Sequence, residues 1–202
     1  MKQWFLQRVV AVMVVAMAAA FVCSETLAQV SYDDKRARAE VLNKEAAAEM
    51  AAGKYASACP KFKQVVELVP SGIGAKMSLA GCYEQWGRLA SALKAYRQAE
   101  EAAKAARDPR EAAAQAKAVA LQAKVATLRV VVPDPVAALP GLEITLNGEV
   151  MGPEALNKFV PIDRGNYVLR ATAKGKQPWA VEVHVSPDGF AASRTVQMLR
   201  DL

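Results

Sequence analysis

The sequence predicts an α+β protein in which an N-terminal helical repeat is followed by a small antiparallel β-sandwich. Two observations support this prediction. Gly53-Lys54-Tyr55-Ala56-Ser57-Ala58 recurs 34 residues later as Gly87-Arg88-Leu89-Ala90-Ser91-Ala92. After Leu128, the spacing of apolar residues changes from helical to alternating, and glycine and proline become frequent. The 202 residues are enough for two small modules.

The N-terminus has the pattern of a bacterial export signal. Residues 1–8 carry two positive charges, residues 9–23 form an uninterrupted apolar run of 15, and small residues precede Gln29. The run is shorter than the ~20 residues of a bilayer-spanning helix. We therefore expect the mature chain to begin at Gln29, exported to the periplasm or cell envelope of a bacterium. The alternatives are an uncleaved N-terminal membrane anchor and a lipid attached to Cys23, which Val22 disfavours.

Each copy of the repeat predicts two helices around a glycine turn. Apolar residues at helical spacing place the first pair at 34–50 and 55–68, with Ser71 as the cap of the next helix and Gly87 at the second turn. Asp108-Pro109-Arg110-Glu111 predicts a closing helix, because it offers a capping carboxylate, a proline at the first position and a glutamate three residues after the cap. The buried stripe of this helix should include Leu121, Val125 and Leu128.

The last third of the chain predicts antiparallel strands. Residues 142–146 alternate in polarity before Asn147-Gly148, the strongest short-range signal of a β-hairpin. The other predicted strands are 128–132, 149–151, 167–173, 179–185 and 194–199, with a turn at Ser186-Pro187-Asp188-Gly189. The predicted domains are a signal peptide at 1–28, a helical domain at 29–127 and a β-sandwich domain at 128–202.

The helical part resembles the tetratricopeptide repeat over about residues 35–104. The residues that match its pattern are Ala46, Gly53, Ala58, Phe62 and Pro70 in the first copy, and Ala80, Gly87, Ala92 and Tyr96 in the second. The early tryptophan position of the family instead holds Leu42 and Lys76, and no third complete repeat follows. The resemblance implies helix pairs whose first helices line a concave, peptide-binding face.

The C-terminal part resembles the PEGA domain, a small β-sandwich module of bacterial envelope and regulatory proteins, over about residues 128–200. Its turns are matched by Asn147-Gly148, Gly152-Pro153, Asp163-Arg164-Gly165 and Gly175. Pro153-Glu154-Ala155 lacks the glycine of the motif that names the family. The resemblance implies a β-sandwich for this part of the chain.

The tetratricopeptide resemblance assigns a candidate binding face to eight residues. They are Asn43, Ala47, Met50, Met77, Gly81, Glu84, Glu111 and Gln115. This face is neutral to acidic, and two methionines could adapt to an apolar peptide. The alternative is that so short an array covers the face with its own β domain or with a second copy of the chain.

A disulfide between Cys59 and Cys82 is the last site prediction. These are the cysteines of the mature chain, and in an oxidising compartment such a pair is first interpreted as a disulfide. Cys59 lies on the second helix of copy one and Cys82 on the first helix of copy two, and successive helices of such an array pack together. Loop closure gives the bond roughly 3 kcal/mol. The alternative is two buried thiols that do not meet.

The sequence gives no pattern for a catalytic or metal centre. The sequence contains one histidine and three cysteines, so a zinc site with three or four ligands would need almost all of them. His184 alternates with valines, so it should face solvent together with Glu182. Gly72-Ile73-Gly74 lacks the third glycine of a nucleotide-binding loop. We therefore expect no cofactor and no enzyme activity; a hydrolase would have to use loop carboxylates such as Asp134 and Asp163, which have no evident partner in the sequence.

The charge pattern narrows the class of partner. The formal net charge is +6, and it falls to +5 without Lys2, Arg8 and Glu25 of the signal. The basic residues are scattered, which favours solvated faces over a nucleic-acid site. We expect a non-enzymatic interaction or scaffold protein of the envelope whose partner is a protein or peptide. The alternative is an envelope protein that binds an anionic polymer or hydrolyses one.

Overall fold

The computed structural model describes residues 32–186 and 191–202. A helical region precedes β-sheets along the chain, so the protein is α+β, as the sequence predicts. The predicted signal peptide and most of the predicted turn at 186–189 lie outside the described residues. Within the described ranges, no helix is both long enough and apolar enough to cross a membrane.

The helical module comprises five helices in the described part of the chain. They are α1 (32–51), α2 (Tyr55–Leu68), α3 (Ile73–Trp86), α4 (Leu89–Ala106) and α5 (Arg110–Gln122). Small alanines and a few large side chains, such as Phe62, Leu79 and Tyr96, form its core. Alanine favours helix formation and allows close approach of neighbouring helices, which suits the alanine-rich stretch of α4 and α5.

The sequence repeat is also a repeat of structure. Gly53 and Gly87 end α1 and α3 with φ of 73° and 76°. At the first turn, the N–H of Gly53 donates to the carbonyl of Met50, and that of Lys54 donates to Glu49. At the second turn, the N–H of Gly87 donates to Glu84, and that of Arg88 donates to Tyr83. Each bond is shifted by 34 residues, so the two helix pairs share one register.

Two helix starts test the capping predictions. At the start of α5, Asp108 Oδ1 accepts a hydrogen bond of 2.9 Å from the N–H of Arg110, but Pro109 and not Asp108 occupies the N-cap position, so the predicted cap is displaced by one residue. The prediction for α3 is wrong, because Gly72 and not Ser71 occupies the N-cap position and no side chain caps the helix. The N–H of Gly72 donates to the carbonyl of Val69 at 2.9 Å, which closes the turn between α2 and α3. The helix therefore begins one residue later than expected.

The β module consists of two sheets that enclose a second core. The strands are β1 (Thr127–Val131), β2 (Glu143–Leu146), β3 (Glu149–Val150), β4 (Phe159–Pro161), β5 (Gly165–Thr172), β6 (Trp179–Val185) and β7 (Ala191–Thr195). Their order is β4-β1-β7 in one sheet and β3-β2-β5-β6 in the other. Leu128, Val130, Leu169 and Val183 are fully buried between the sheets. Asn147 and Gly148, with φ of 51° and 84°, form the predicted hairpin.

Three features of the β module differ from the sequence prediction. The short β4 and the helical turn α6 (Asp134–Ala137) were not predicted. The last strand lies at Ala191–Thr195 instead of 194–199. It pairs with β1 in a parallel orientation, whereas the other strand pairs of the described sheets are antiparallel. The parallel pair arises because the chain passes from the four-stranded sheet to the three-stranded one between β6 and β7.

Candidate functional site

The eight predicted binding residues lie on α1, α3 and α5, the first helix of each pair and the closing helix. We call this surface the first-helix face. The three helices adjoin in the order α1, α3, α5: Asn43 and Ser78 line one cavity between α1 and α3, and Lys117 Nζ of α5 lies 3.2 Å from Glu84 Oε2 of α3. The fold therefore places the three helices that carry the predicted residues next to one another.

The cavity at the α1 end of this face has a volume of about 380 Å³. Its walls combine charged and amide groups of α1 with small residues of α3 and two valines of α2. They are Arg36, Ala39, Glu40, Asn43, Val65, Val69, Gly74, Ala75 and Ser78. Because α3 presents only small side chains here, the cavity can accept a side chain from an extended segment. Asn43, which is exposed, supplies an amide at its wall.

The two methionines of the face are not freely exposed. Met50 and Met77 are partly buried and pack against the helical core. Ala47 and Gln115 are exposed, whereas Gly81 and Glu111 are partly buried. Contact with a partner would thus use the edges of the methionine side chains and the exposed positions between them.

Glu84 belongs to a hydrogen-bonded cluster at the other end of the face. Tyr96 Oη donates to Glu84 Oε2 at 2.8 Å, and Lys117 Nζ lies near the same carboxylate. Burial, followed by this hydrogen bond, raises the pKa of Tyr96 well above its usual range. The hydroxyl therefore acts as a donor that holds the carboxylate in place, and Lys117 offsets its charge.

Charged groups beside the face are also paired. Arg36 Nε lies 3.8 Å from Glu40 Oε1, and Arg110 Nη2 lies 2.6 Å from Asp108 Oδ2. Hydrogen bonds from Arg110 lower the pKa of Asp108 to about 2. These pairs leave the first-helix face close to neutral, which suits a partner segment without a strong net charge.

The β module attaches to the helical module at the turn between α3 and α4. Asp163 Oδ1 accepts the N–H groups of Ala90 and Ser91 at 2.8 Å and 3.0 Å, and Oδ2 accepts the Ser91 hydroxyl at 2.6 Å. Arg164 Nη2 donates to the carbonyl of Trp86 at 3.0 Å. Asp163 therefore caps α4 from another module, and Arg164 satisfies a carbonyl at the end of α3. We call this contact the Asp163 junction.

Sequence reasoning missed the Asp163 junction. Asp163, for which the sequence shows no evident partner, has a side chain that is 10% exposed and bonded to α4. A signal for it existed in the sequence: Arg88 is the N-cap residue of α4, and it cannot supply the capping oxygen that serine, threonine, aspartate or asparagine would provide. An uncapped helix start leaves N–H groups that water or a residue from elsewhere in the fold must satisfy.

A cleft of about 730 Å³ lies beside the Asp163 junction, between α4 and the edge of the β module. Lys94, Arg97 and Glu101 project from α4, and Glu149 projects from β3. Charges of both signs therefore meet across the cleft. This composition does not favour a polyanion, which would meet carboxylates beside the basic groups.

The residues considered for catalysis lie apart from any assembled centre. His184 and Glu182 are exposed on the outer face of β6, as predicted, while Val183 and Val185 point into the core. Asp134 begins the short helix α6, and Asp163 is bonded at the junction. Within residues 32–186 and 191–202, no cluster of three histidine, cysteine or acidic side chains is placed to hold a metal ion.

The predicted disulfide is present in the structure. Cys59 of α2 and Cys82 of α3 are bonded, with Cα atoms 5.6 Å apart, and both side chains are fully buried. The bond joins the second helix of one copy to the first helix of the next. It therefore fixes the two copies to each other from within their common core.

Comparison with known proteins found no family model that matches the chain and no curated protein that matches it. The likenesses to tetratricopeptide repeats and to the PEGA domain consequently rest on the residues that carry them.

Proposed function

We propose that this chain is an exported, non-enzymatic interaction protein of the bacterial envelope that binds an extended protein segment on its first-helix face. The observation that carries the proposal is the position of the Asp163 junction. The β module is bonded to the α3–α4 turn, and the cavities between the modules are walled by the α3–α4 turn, α4 and the α5–β1 link. None of the eight predicted binding residues is among those contacts, which supports an open face.

The chemistry of the face supports a peptide as the partner. Paired charges leave it near neutral, the cavity at Asn43 offers an amide between small side chains, and partly buried methionines adapt to apolar groups. A tetratricopeptide-like fold would present these groups along one line, as the resemblance implies. Export to the periplasm or envelope follows from the predicted signal peptide and is consistent with the buried disulfide.

The test uses one substitution at two adjacent positions of α1. Ala47 and Ala48 are both exposed, and a 100° step around the helix separates them, so only Ala47 belongs to the first-helix face. The chain from Gln29 is added to solubilised envelope, and its partners are crosslinked to it before capture. Ala47→Glu should abolish capture of a specific protein, because it adds a charge in the middle of the face, while Ala48→Glu retains it.

Two results would contradict the proposal. Equal capture by both variants would remove the first-helix face as the binding surface. A hydrolytic activity on envelope polymer that disappears in Asp134→Asn would replace the binding function with the enzymatic alternative. Mass spectrometry of the exported chain checks the location independently, since a mature N-terminus at Gln29 is expected.

A further inference from the structure

The outer edge of β6 is a long strand edge without protection. β6 pairs with β5 alone in the described sheets, and its seven residues include no proline, lysine or arginine. The other edges of the described sheets are shorter or carry a protecting residue: β3 has two residues, β4 has three, one of them Pro161, and β7 has five, one of them Arg194. Short strands, prolines and lysines are the usual means of preventing edge pairing. β6 lacks all of them.

Hydrogen bonds of β5 show which backbone groups of β6 face outward. The N–H of Val168 donates to Asn147 Oδ1 at 2.7 Å, and its carbonyl accepts the N–H of Asn147 at 2.9 Å, so both groups point towards β2. Val168 lies opposite Glu182. Because the direction alternates along a strand, the N–H and carbonyl groups of Ala180, Glu182 and His184 point away from β5. They form a ladder open to a further strand.

The side chains along this edge are self-complementary. The central sequence Val181-Glu182-Val183-His184-Val185 is symmetric about Val183 in its apolar positions, and it carries a carboxylate on one side and an imidazole on the other. When two such strands run antiparallel with Val183 opposite Val183, Glu182 of each lies opposite His184 of the other. These are residues whose backbone groups face outward, so both pairs become hydrogen-bonded pairs.

Other registers fit less well. Placing Glu182 opposite Glu182 matches the backbone groups but puts two carboxylates side by side, which is destabilising. Placing His184 opposite His184 loses both acid–imidazole pairs. In a register shifted by one residue, residues whose backbone groups point outward on one strand lie opposite residues whose groups point inward on the other. The valines of one copy then face solvent. The register centred on Val183 is therefore the one that satisfies both backbone and side chains.

The imidazole is already oriented for this contact. His184 Nδ1 lies 2.6 Å from Asn166 Oδ1 of the neighbouring strand, which fixes the ring on the outer face and leaves Nε2 for another group. Val183 and Val185 are buried on the opposite face. When two β6 strands pair, the valine layers of the two copies would therefore lie on the same side of the joined sheet. The hydrogen bonds of the C-terminal tail reach residues 175–177 and stop before β6.

We propose that two copies of this chain associate through β6, with Val183 on the two-fold axis, so that one sheet runs through both copies. Such an interface is isologous and closed, which limits the assembly to a dimer. The contact adds about four backbone hydrogen bonds from its two central pairs. It leaves the first-helix face of each copy unused, and it does not depend on the function proposed above.

Sedimentation of the chain from Gln29 over a concentration series tests the association. Wild type should dimerise reversibly. His184→Glu places Glu opposite Glu twice, so it should weaken the dimer at least about tenfold. The double variant Glu182→His/His184→Glu exchanges the two groups and should restore wild-type affinity, which a loss of folding in the single variant could not explain. A wild type that stays monomeric at its highest soluble concentration, or a dimer unaffected by His184→Glu, would overturn the proposal.

Cysteine crosslinking tests the register. Opposed residues of a hydrogen-bonded antiparallel pair have Cα atoms about 5.5 Å apart, within the range of a disulfide. A mixture of Glu182→Cys and His184→Cys chains should therefore form a crosslinked dimer on mild oxidation, and neither chain should do so alone. Crosslinking of Glu182→Cys by itself would mean a different axis and would contradict the Val183-centred pairing.

Discussion

Removal of the Asp163 carboxylate should destabilise the contact between the two modules, so that they no longer unfold together. In Asp163→Ala, the N–H groups of Ala90 and Ser91 lose their acceptor and the Ser91 hydroxyl loses its own. Loss of a helix cap costs about 0.5–2 kcal/mol, and a hydrogen bond to a charged group contributes about 1.5–3 kcal/mol. Because water can reach these N–H groups once the carboxylate is removed, we expect a loss of about 2 kcal/mol in the free energy of unfolding.

Trp86 and Trp179 provide one fluorescence probe for each module in the chain from Gln29. Trp86 ends α3, and Trp179 begins β6. Urea unfolding is followed by fluorescence in Trp86→Phe and Trp179→Phe backgrounds, with helical circular dichroism as the third signal. The transitions should coincide in the parent chain, because the junction couples the modules. In Asp163→Ala they should shift to lower urea concentration and separate.

A carboxylate deletion elsewhere in the β module is the control. Asp134→Ala removes a side chain that is not part of the junction, so both probes should retain their midpoints. Unchanged midpoints in Asp163→Ala would refute the reasoning that this residue joins the modules. Equal shifts in both variants would attribute the effect to the β module alone.

Three further predictions concern the helical module. Cys59→Ser should lower the free energy of unfolding by roughly 3 kcal/mol through loss of the bond to Cys82; alkylation and mass spectrometry of the unreduced parent chain should find neither thiol free. Gly81→Ala should raise the free energy of unfolding by up to about 1 kcal/mol, and the melting temperature with it, because a helix interior prefers alanine and the added Cβ would lie 3.9 Å from Tyr96 Oη. A lower melting temperature would mean that the added methyl group does not fit. Tyr96 has a raised pKa, so its stabilisation is complete below about pH 10 and is lost as the pH rises further; Tyr96→Phe should make the alkaline decline of stability less steep, and an unchanged slope would contradict the role of its bond to Glu84.

Local signals were sufficient for the helical repeat. The glycines at 53 and 87 need positive φ, and the residues around them repeat, so helix ends and register could be placed from sequence. The disulfide was accessible for the same reason, because register puts Cys59 and Cys82 on successive helices. The helix that carries each of the eight predicted binding residues was also predictable, but the packing of Met50 and Met77 was not, since it depends on tertiary contacts.

Long-range pairings were not predictable. β4 contains three residues, one of them a proline, which is too little for a periodic signal, and it exists because β1 provides a pairing partner. Asp163 and Ser91 are 72 residues apart, so their contact leaves no local pattern apart from the uncapped start of α4. The bounds of β6, by contrast, were predicted correctly, because its seven residues alternate regularly.

The parallel pairing of β1 with β7 sets the order in which the protein can be completed. β1 follows directly from α5 and lies in the middle of its sheet, yet Thr127 pairs with Ala191, which is 64 residues later. Closing so long a loop costs entropy before the contact compensates for it, so such pairs form slowly. The helices can assemble from contacts within successive pairs as the chain emerges. The last strand to arrive therefore completes the sheet that holds the helical module, and folding of that sheet should be the slow phase.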